Sequence, residues 1–187
     1  MVDIMTLYST PVGYVHMLLR AHVHEGDVVI DATHGNGGDT RLLRSLVGPK
    51  GVVYAFDVQL PMRADVDMTD VLLVGHENMA RHVAAIHHRQ VRAVVFNLGY
   101  LPGGDKALTT HVDTTLEAVE QAISLLAPDG IIILVCYQHD EGRRELAALR
   151  TMLSALPSGM HTATETVFLN HDANAPIVLT IAGVQRT

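Results

Sequence analysis

The sequence predicts an α/β fold: a mostly parallel sheet with helices on both faces. Three observations point there. Short apolar runs end in a polar residue at Asp31 (VVID), at Asp57 (GVVYAFD) and at Asn97 (VVFN). Between and around them, apolar residues recur at helical spacing, as in Val12, Val15, Leu18 and Leu19 or Leu42, Leu43, Leu46 and Val47. The first run also breaks into a loop carrying Gly35, Gly37 and Gly38. Glycines suit a sharp turn where a ligand must come close to the backbone. Strand, glycine turn and helix together form the opening unit of a nucleotide-binding sheet.

The elements follow in order. Pro11 to Val23 reads as an amphipathic helix, with Thr10 as its cap and Pro11 in its first turn. Strands are expected at Val28–Ile30, Gly51–Asp57 and Val71–Val74, with an irregular connection over Val58–Asp70 that contains Pro61. Gly75-His76-Glu77-Asn78 follows the third strand, and Glu77 there also suits a helix start, with its charge on the dipole. Arg92–Phe96 is the fourth strand. Thr114–Leu126 is a helix, capped by Asp113 or Thr114, with Glu117 at capping-box spacing from Thr114. Pro128-Asp129-Gly130 turns into Ile131–Tyr137, an apolar run suited to a central buried strand. Asp140–Leu156 is a helix stopped by Pro157, and Thr162–Leu169 and Pro176–Ala182 are the last two strands. The reading is one domain over 1–187, with the helix at about 11–24 packed on it.

At 187 residues and 48% apolar content, the chain can bury a full core. No apolar run approaches the ~18 residues of a membrane span, and no basic-then-apolar leader opens the chain. The single cysteine, Cys136, sits in an apolar strand; this suits a reducing cytoplasm. Twelve histidines are scattered without cysteine pairs or HExxH spacing, so no metal is expected. A net charge of −7 is unfavourable for an RNA enzyme. Arg81, Arg89, Arg92 and Lys106, with His82, His87 and His88, nevertheless form a basic stretch beside Asn97 in sequence. A solvated helix end explains that stretch equally well.

Two stretches carry chemistry. Asp31, Gly35 and Gly37 resemble the D-x-x-x-G-x-G first motif of S-adenosylmethionine methyltransferases, with Thr33 where a first glycine often stands. Asn97-Leu98-Gly99-Tyr100 resembles the (Asp/Asn/Ser)-Pro-Pro-(Tyr/Phe) loop of amino-group methyltransferases, with the prolines replaced. A nitrogen nucleophile must aim its lone pair at the methyl carbon, so its N–H bonds need acceptors. An Asn side-chain carbonyl can supply one while an aromatic ring packs on the substrate plane. A strand-end Asn capping a turn is the structural alternative.

DATHGNGGDT, YAFDVQ, FNLGYLPGGDK and the later Tyr137, His139, Gly142 and Glu145 together resemble the bacterial group labelled "putative rRNA methylases". The resemblance runs from about Val12 to Ile181. Studied members are tRNA methyltransferases acting on the aminomethyl group of 5-aminomethyl-2-thiouridine at the wobble position. It implies the class I, Rossmann-like methyltransferase fold: seven strands, mostly parallel, with an antiparallel last strand. It further implies S-adenosyl-L-methionine as cofactor, tRNA as substrate, a cytoplasmic homodimer and no membrane. Asp31, Thr33, Gly35, Asn36, Gly37, Asp39, Thr40, Asp57, Gln59, His76, Glu77 and Asn97 would then line the cofactor, with Asp57 on the ribose hydroxyls. Asn97 and Tyr100 would hold the nucleophile. His16 matches a family histidine, although a packed helix residue is the plainer reading.

Two departures stand out. The Val58–Asp70 connection is shorter than the family's, which would leave the adenine side more open. The family's Tyr-x-Gly-His becomes Tyr137-Gln138-His139, which puts the role of His139 in doubt. Two other functions stay open: a methyltransferase of small metabolites, and a cofactor-binding protein without turnover.

Overall fold

The structure is a computed structural model that describes residues 9–60, 68, 71–99 and 109–183. Its helices are α1 (Pro11–His22), α2 (Gly38–Val47), the short α3 (Met79–His82), α4 (Val112–Leu125) and α5 (Asp140–Ser154). Its strands are β1 (Val28–Asp31), β2 (Val52–Asp57), β3 (Val71–Leu73), β4 (Val91–Leu98), β5 (Leu126–Cys136), β6 (His161–Thr166) and β7 (Ile177–Gly183). They form one seven-stranded sheet in the order β3-β2-β1-β4-β5-β7-β6. The first five strands in that order pair in parallel, and β7 runs antiparallel to both β5 and β6.

Burial explains the central strands. All four residues of β1 are buried, as a parallel strand covered on both faces requires. Alternate residues feed two cores. Ile30, Phe56, Val94, Phe96 and Leu134 pack with Ala118 and Val119 of α4 and Leu146 and Leu149 of α5. Val29, Val53, Val95 and Ile133 pack on the other face with Val15 and Leu19 of α1 and Leu42 and Leu43 of α2. The strand order reverses at β1, between β2 and β4. In open α/β sheets a ligand crevice forms above the carboxyl ends at that place.

Most expected elements lie within two or three residues of their observed bounds. α1 begins as the sequence predicts: Thr10 Oγ1 accepts the Gly13 N–H at 3.0 Å, with Pro11 in the first turn. Four details differ. α4 starts at Val112, with His111 as N-cap and no side-chain cap, so the Thr114–Glu117 capping box does not form. The Thr114 hydroxyl instead donates to the His111 carbonyl at 3.1 Å. Pro128-Asp129-Gly130 lies inside β5, where the pairing with β4 shifts register between Val91 and Ala93. After β3, a 3-10 turn over His76–Asn78 precedes α3, in place of a long helix. Much of the 58–70 connection lies outside the described residues. No helix among the described residues is long and apolar enough to cross a membrane.

The basic stretch is the largest correction. Arg89 and Arg92 stand at the amino end of β4, and Asn97 near its carboxyl end, roughly 20 Å away at the rise of a strand. Arg92 is ion-paired with Asp129 and lies 3.6 Å from Asp27. Adjacency in sequence placed these cations beside the Asn97 loop; an extended strand carries them to the opposite edge of the sheet.

Candidate functional site: the carboxyl ends of β1, β2 and β4

Beyond Asp31 the chain stays wedged between its neighbours for three residues. Ala32 N–H donates to the Val95 carbonyl at 2.9 Å and His34 N–H to the Phe56 carbonyl at 2.8 Å. Thr33 Oγ1 accepts the Asn97 N–H at 2.7 Å. The loop then turns away, with Gly37 in the left-handed region (φ 74°) as the N-cap of α2. A side chain there would be strained, which is why glycine opens this helix.

Asp57 closes the loop from the β2 side. Its Oδ2 accepts the Gly35 N–H at 2.7 Å and its Oδ1 the Gln59 N–H at 3.0 Å. Each carboxylate oxygen keeps a lone pair for a further donor. On the other side, His16 Nε2 of α1 lies 2.8 Å from Asp39 Oδ1 in the first turn of α2. His16 is therefore half-buried against the loop, tied to a residue of the first motif.

Asp31 and Thr40 lie beneath the loop, fully buried. The Asp31 carboxyl takes the Thr33 N–H at 3.1 Å and the Thr40 hydroxyl at 2.5 Å, and His34 Nδ1 sits 2.8 Å from that hydroxyl. Burial, with the negative charge of Asp39, pushes the Asp31 pKa up to about 7. His76 is buried under the same loop. Its Nδ1–H donates to the Ala32 carbonyl at 3.2 Å and its ring stands edge-on to Phe96. Burial lowers its pKa, which favours the neutral ring. Glu77 is oriented differently. Its carboxylate accepts the Asn78 side-chain amide at 2.9 Å, and its backbone carbonyl accepts the amide of Gln121 from α4.

The site thus gathers Asp31, Thr33, Gly35, Asn36, Gly37, Asp39, Thr40, Asp57, Gln59 and Asn97 at one end of three strands, with His76 beneath. Tyr100 lies outside the described residues. Two polar atoms are unusual: Asn36 Oδ1 and Asn97 Oδ1 are buried without a hydrogen-bond partner among the described residues. Buried polar atoms are seldom left so, and a ligand acceptor site is one explanation.

His139 has a defined position despite the shortened motif. Its Nδ1 accepts the Gly142 N–H at 3.1 Å, capping α5, and this leaves the ring proton on Nε2 in the neutral form. Nε2 faces Gly99. A Cβ on Gly99 would lie 3.3 Å from it and 3.8 Å from Tyr137 Cδ2. Gly99 itself has φ 143°. Thr110, Thr115 and His34 went unremarked in the sequence. Glu145 offered a signal that was not used: a carboxylate four residues before Leu149, on the buried stripe of its helix.

Comparisons with known proteins agree with this architecture. A curated Arabidopsis thaliana protein, a chloroplastic tRNA (mnm(5)s(2)U34)-methyltransferase, is 39% identical over 164 residues, which cover 76% of this chain. The match spans 58% of that relative's length. A solved "putative rRNA-methylase" from Clostridium thermocellum superposes with a TM-score of 0.84 at 34% identity, covering 94% of this chain and 98% of that one. A "putative methyltransferase" from Streptococcus mutans, solved in complex with SAH, gives 0.79 at 28% identity, covering 94% and 99%. A family model described as "Putative rRNA methylase" matches residues 53–182, well over half of the chain. With β1 to β7 arranged as in those methyltransferase structures, the chain belongs to that family.

Proposed function

We propose that the chain is an S-adenosylmethionine-dependent N-methyltransferase acting on the aminomethyl group of 5-aminomethyl-2-thiouridine at the tRNA wobble position. The observation that carries this reading is Asn97: a side-chain carbonyl buried without a partner among the described residues, at the strand end beside the glycine loop. An amine nucleophile needs such an acceptor for an N–H while its lone pair is aimed elsewhere. The names of the Arabidopsis relative and of the family's solved members support it.

The residues fit the cofactor. Asp57 would accept its ribose hydroxyls, and the Gly35–Gly37 turn would admit its methionine portion close to the backbone. The Asn36 carbonyl oxygen offers a further acceptor, and Asn97 and Tyr100 would hold the amine. When bound, the cofactor supplies an electrophilic methyl on a sulfonium, so no general base is needed to activate the carbon. The protein's task is to desolvate and align the amine, and alignment supplies up to ~7–11 kcal/mol of a barrier. We place the enzyme in the cytoplasm as a homodimer, since the site end of one copy offers little surface for a tRNA arm.

The test is single-turnover methylation of tRNA bearing 5-aminomethyl-2-thiouridine, read by mass spectrometry of its nucleosides. The same assay with small amines addresses the reading favoured by the −7 net charge and by the remote position of Arg89 and Arg92. Methylation of a small amine alone would overturn the tRNA assignment. Cofactor binding with no turnover on either substrate would leave a binding protein.

A further inference from the structure

Gly99 and Thr110 bracket the segment that carries Tyr100, and they are bonded to each other twice. The Thr110 N–H donates to the Gly99 carbonyl at 3.1 Å, and the Gly99 N–H donates to Thr110 Oγ1 at 3.0 Å. The single proton of the Thr110 hydroxyl goes to Glu145 Oε2 at 2.9 Å. The other oxygen, Oε1, takes the hydroxyl of Thr115 at 2.6 Å, from the first turn of α4. Glu145 is 1% exposed, on the inner face of α5 beside Leu146 and Leu149.

A carboxylate there is costly unless both oxygens are satisfied, and packing alone would favour Leu. Both oxygens are committed to hydroxyls that flank one loop. Accepting from Thr110 also points that hydroxyl's proton away from Gly99, so a lone pair remains for the Gly99 N–H. On its other side Gly99 meets the His139 ring, itself anchored to the start of α5. Gly99 is thus held from two directions, two residues beyond Asn97.

We propose that Glu145 is a positioning residue: through Thr110 it holds Gly99, and with it the Asn97 end of β4, where the Asn97 carbonyl can meet the substrate amine. This rests on the methyl-transfer reading above. Glu145 touches neither cofactor nor substrate, so its effect is on alignment and not on cofactor affinity, whose groups belong to β1 and β2.

The experiment compares the full-length parent with Glu145→Gln, Thr110→Val and Thr110→Ser. Thr110→Val keeps the shape and removes the hydroxyl; Thr110→Ser keeps the hydroxyl. Three quantities are measured: amide exchange at Gly99, cofactor affinity by calorimetry, and single-turnover methylation of the modified tRNA. Thr110→Ser should behave as the parent throughout. In the other two variants Gly99 exchange should rise about tenfold, the yield of one lost hydrogen bond. Their cofactor affinity should stay within about twofold, and their rate should fall about 10²-fold, as for a small misplacement of reacting groups. Unchanged exchange, faster exchange at an unchanged rate, or a rate loss matched by lost cofactor affinity would each overturn the inference. A parent inactive on this tRNA overturns the substrate reading instead. The exchange measurement then decides the tie, and parent-like exchange in Glu145→Gln and Thr110→Val refutes it.

Discussion

The Asn97 N–H donates to the Thr33 hydroxyl at 2.7 Å, joining the carboxyl end of β4 to the loop after β1. The bond uses only the backbone of Asn97, so its side chain plays no part in fixing the strand end. Truncation therefore separates the two roles. Asn97→Ala should keep the Thr33 contact and the fold but lose the acceptor for the amine. Methyl transfer should fall ~10²–10³-fold, by analogy with removal of one positioned polar group. Cofactor affinity should hardly change, because an interaction made mainly in the transition state appears in the rate constant. Parallel single-turnover and binding measurements check this; a matching loss of affinity would make Asn97 a pocket wall.

Asp57→Ala should act on binding. The variant loses the acceptor for Gly35 N–H and Gln59 N–H as well as the group expected on the ribose. Cofactor affinity should weaken by ~1.5–3 kcal/mol, the range for hydrogen bonds to a charged group. Asp57→Asn retains one acceptor oxygen and should fall between the two. Calorimetry that finds Asp57→Ala equal to the parent would remove Asp57 from the cofactor site.

Asp31 predicts a pH dependence of stability. Its carboxyl titrates near 7 in the folded protein against 3.8 as the ordinary value. The folded form holds that proton more tightly than the unfolded form. Its contribution is therefore fully present below pH 3.8 and is lost as pH rises through 7. Asp31→Asn removes the titration while keeping an acceptor for Thr33 and a donor for Thr40, whose hydroxyl can turn to His34. Relative to the parent, the variant should gain stability on the order of 4 kcal/mol between acid and pH 8. Urea unfolding at several pH values measures it, and parallel curves for the two proteins would refute it.

Arg81 and Arg89 should be dispensable for the reaction. Arg89 adjoins the amino end of β4, and both flank the short α3 segment and not the Asn97 end. The double substitution Arg81→Glu and Arg89→Glu should leave KM for the tRNA within about twofold; each lost phosphate contact would instead reduce the salt slope by about one. Salt titrations of tRNA binding distinguish these outcomes.

Light scattering checks assembly. A homodimer doubles the 20.3 kDa of one chain. A single-chain mass at micromolar concentration would contradict the proposal.

The alternation of apolar strand and amphipathic helix was enough to determine this fold class. Strands such as VVID and IIILVC have no stable alternative to burial between layers, and a glycine loop after the first strand marks where the sheet opens. Motif residues close together in sequence, from Asp31 to Thr40, were legible for the same reason: one turn must hold them together. The remaining contacts were decided in three dimensions. A strand is stiff and long, so Arg92 and Asn97, five residues apart, finish at opposite edges of the sheet. A hydrogen bond, by contrast, depends on distance in space, so Thr33 meets Asn97 and Glu145 meets Thr110 from distant stretches. Sequence periodicity marked the face on which Glu145 lies; only packing α5 against the start of α4 showed what its carboxylate holds.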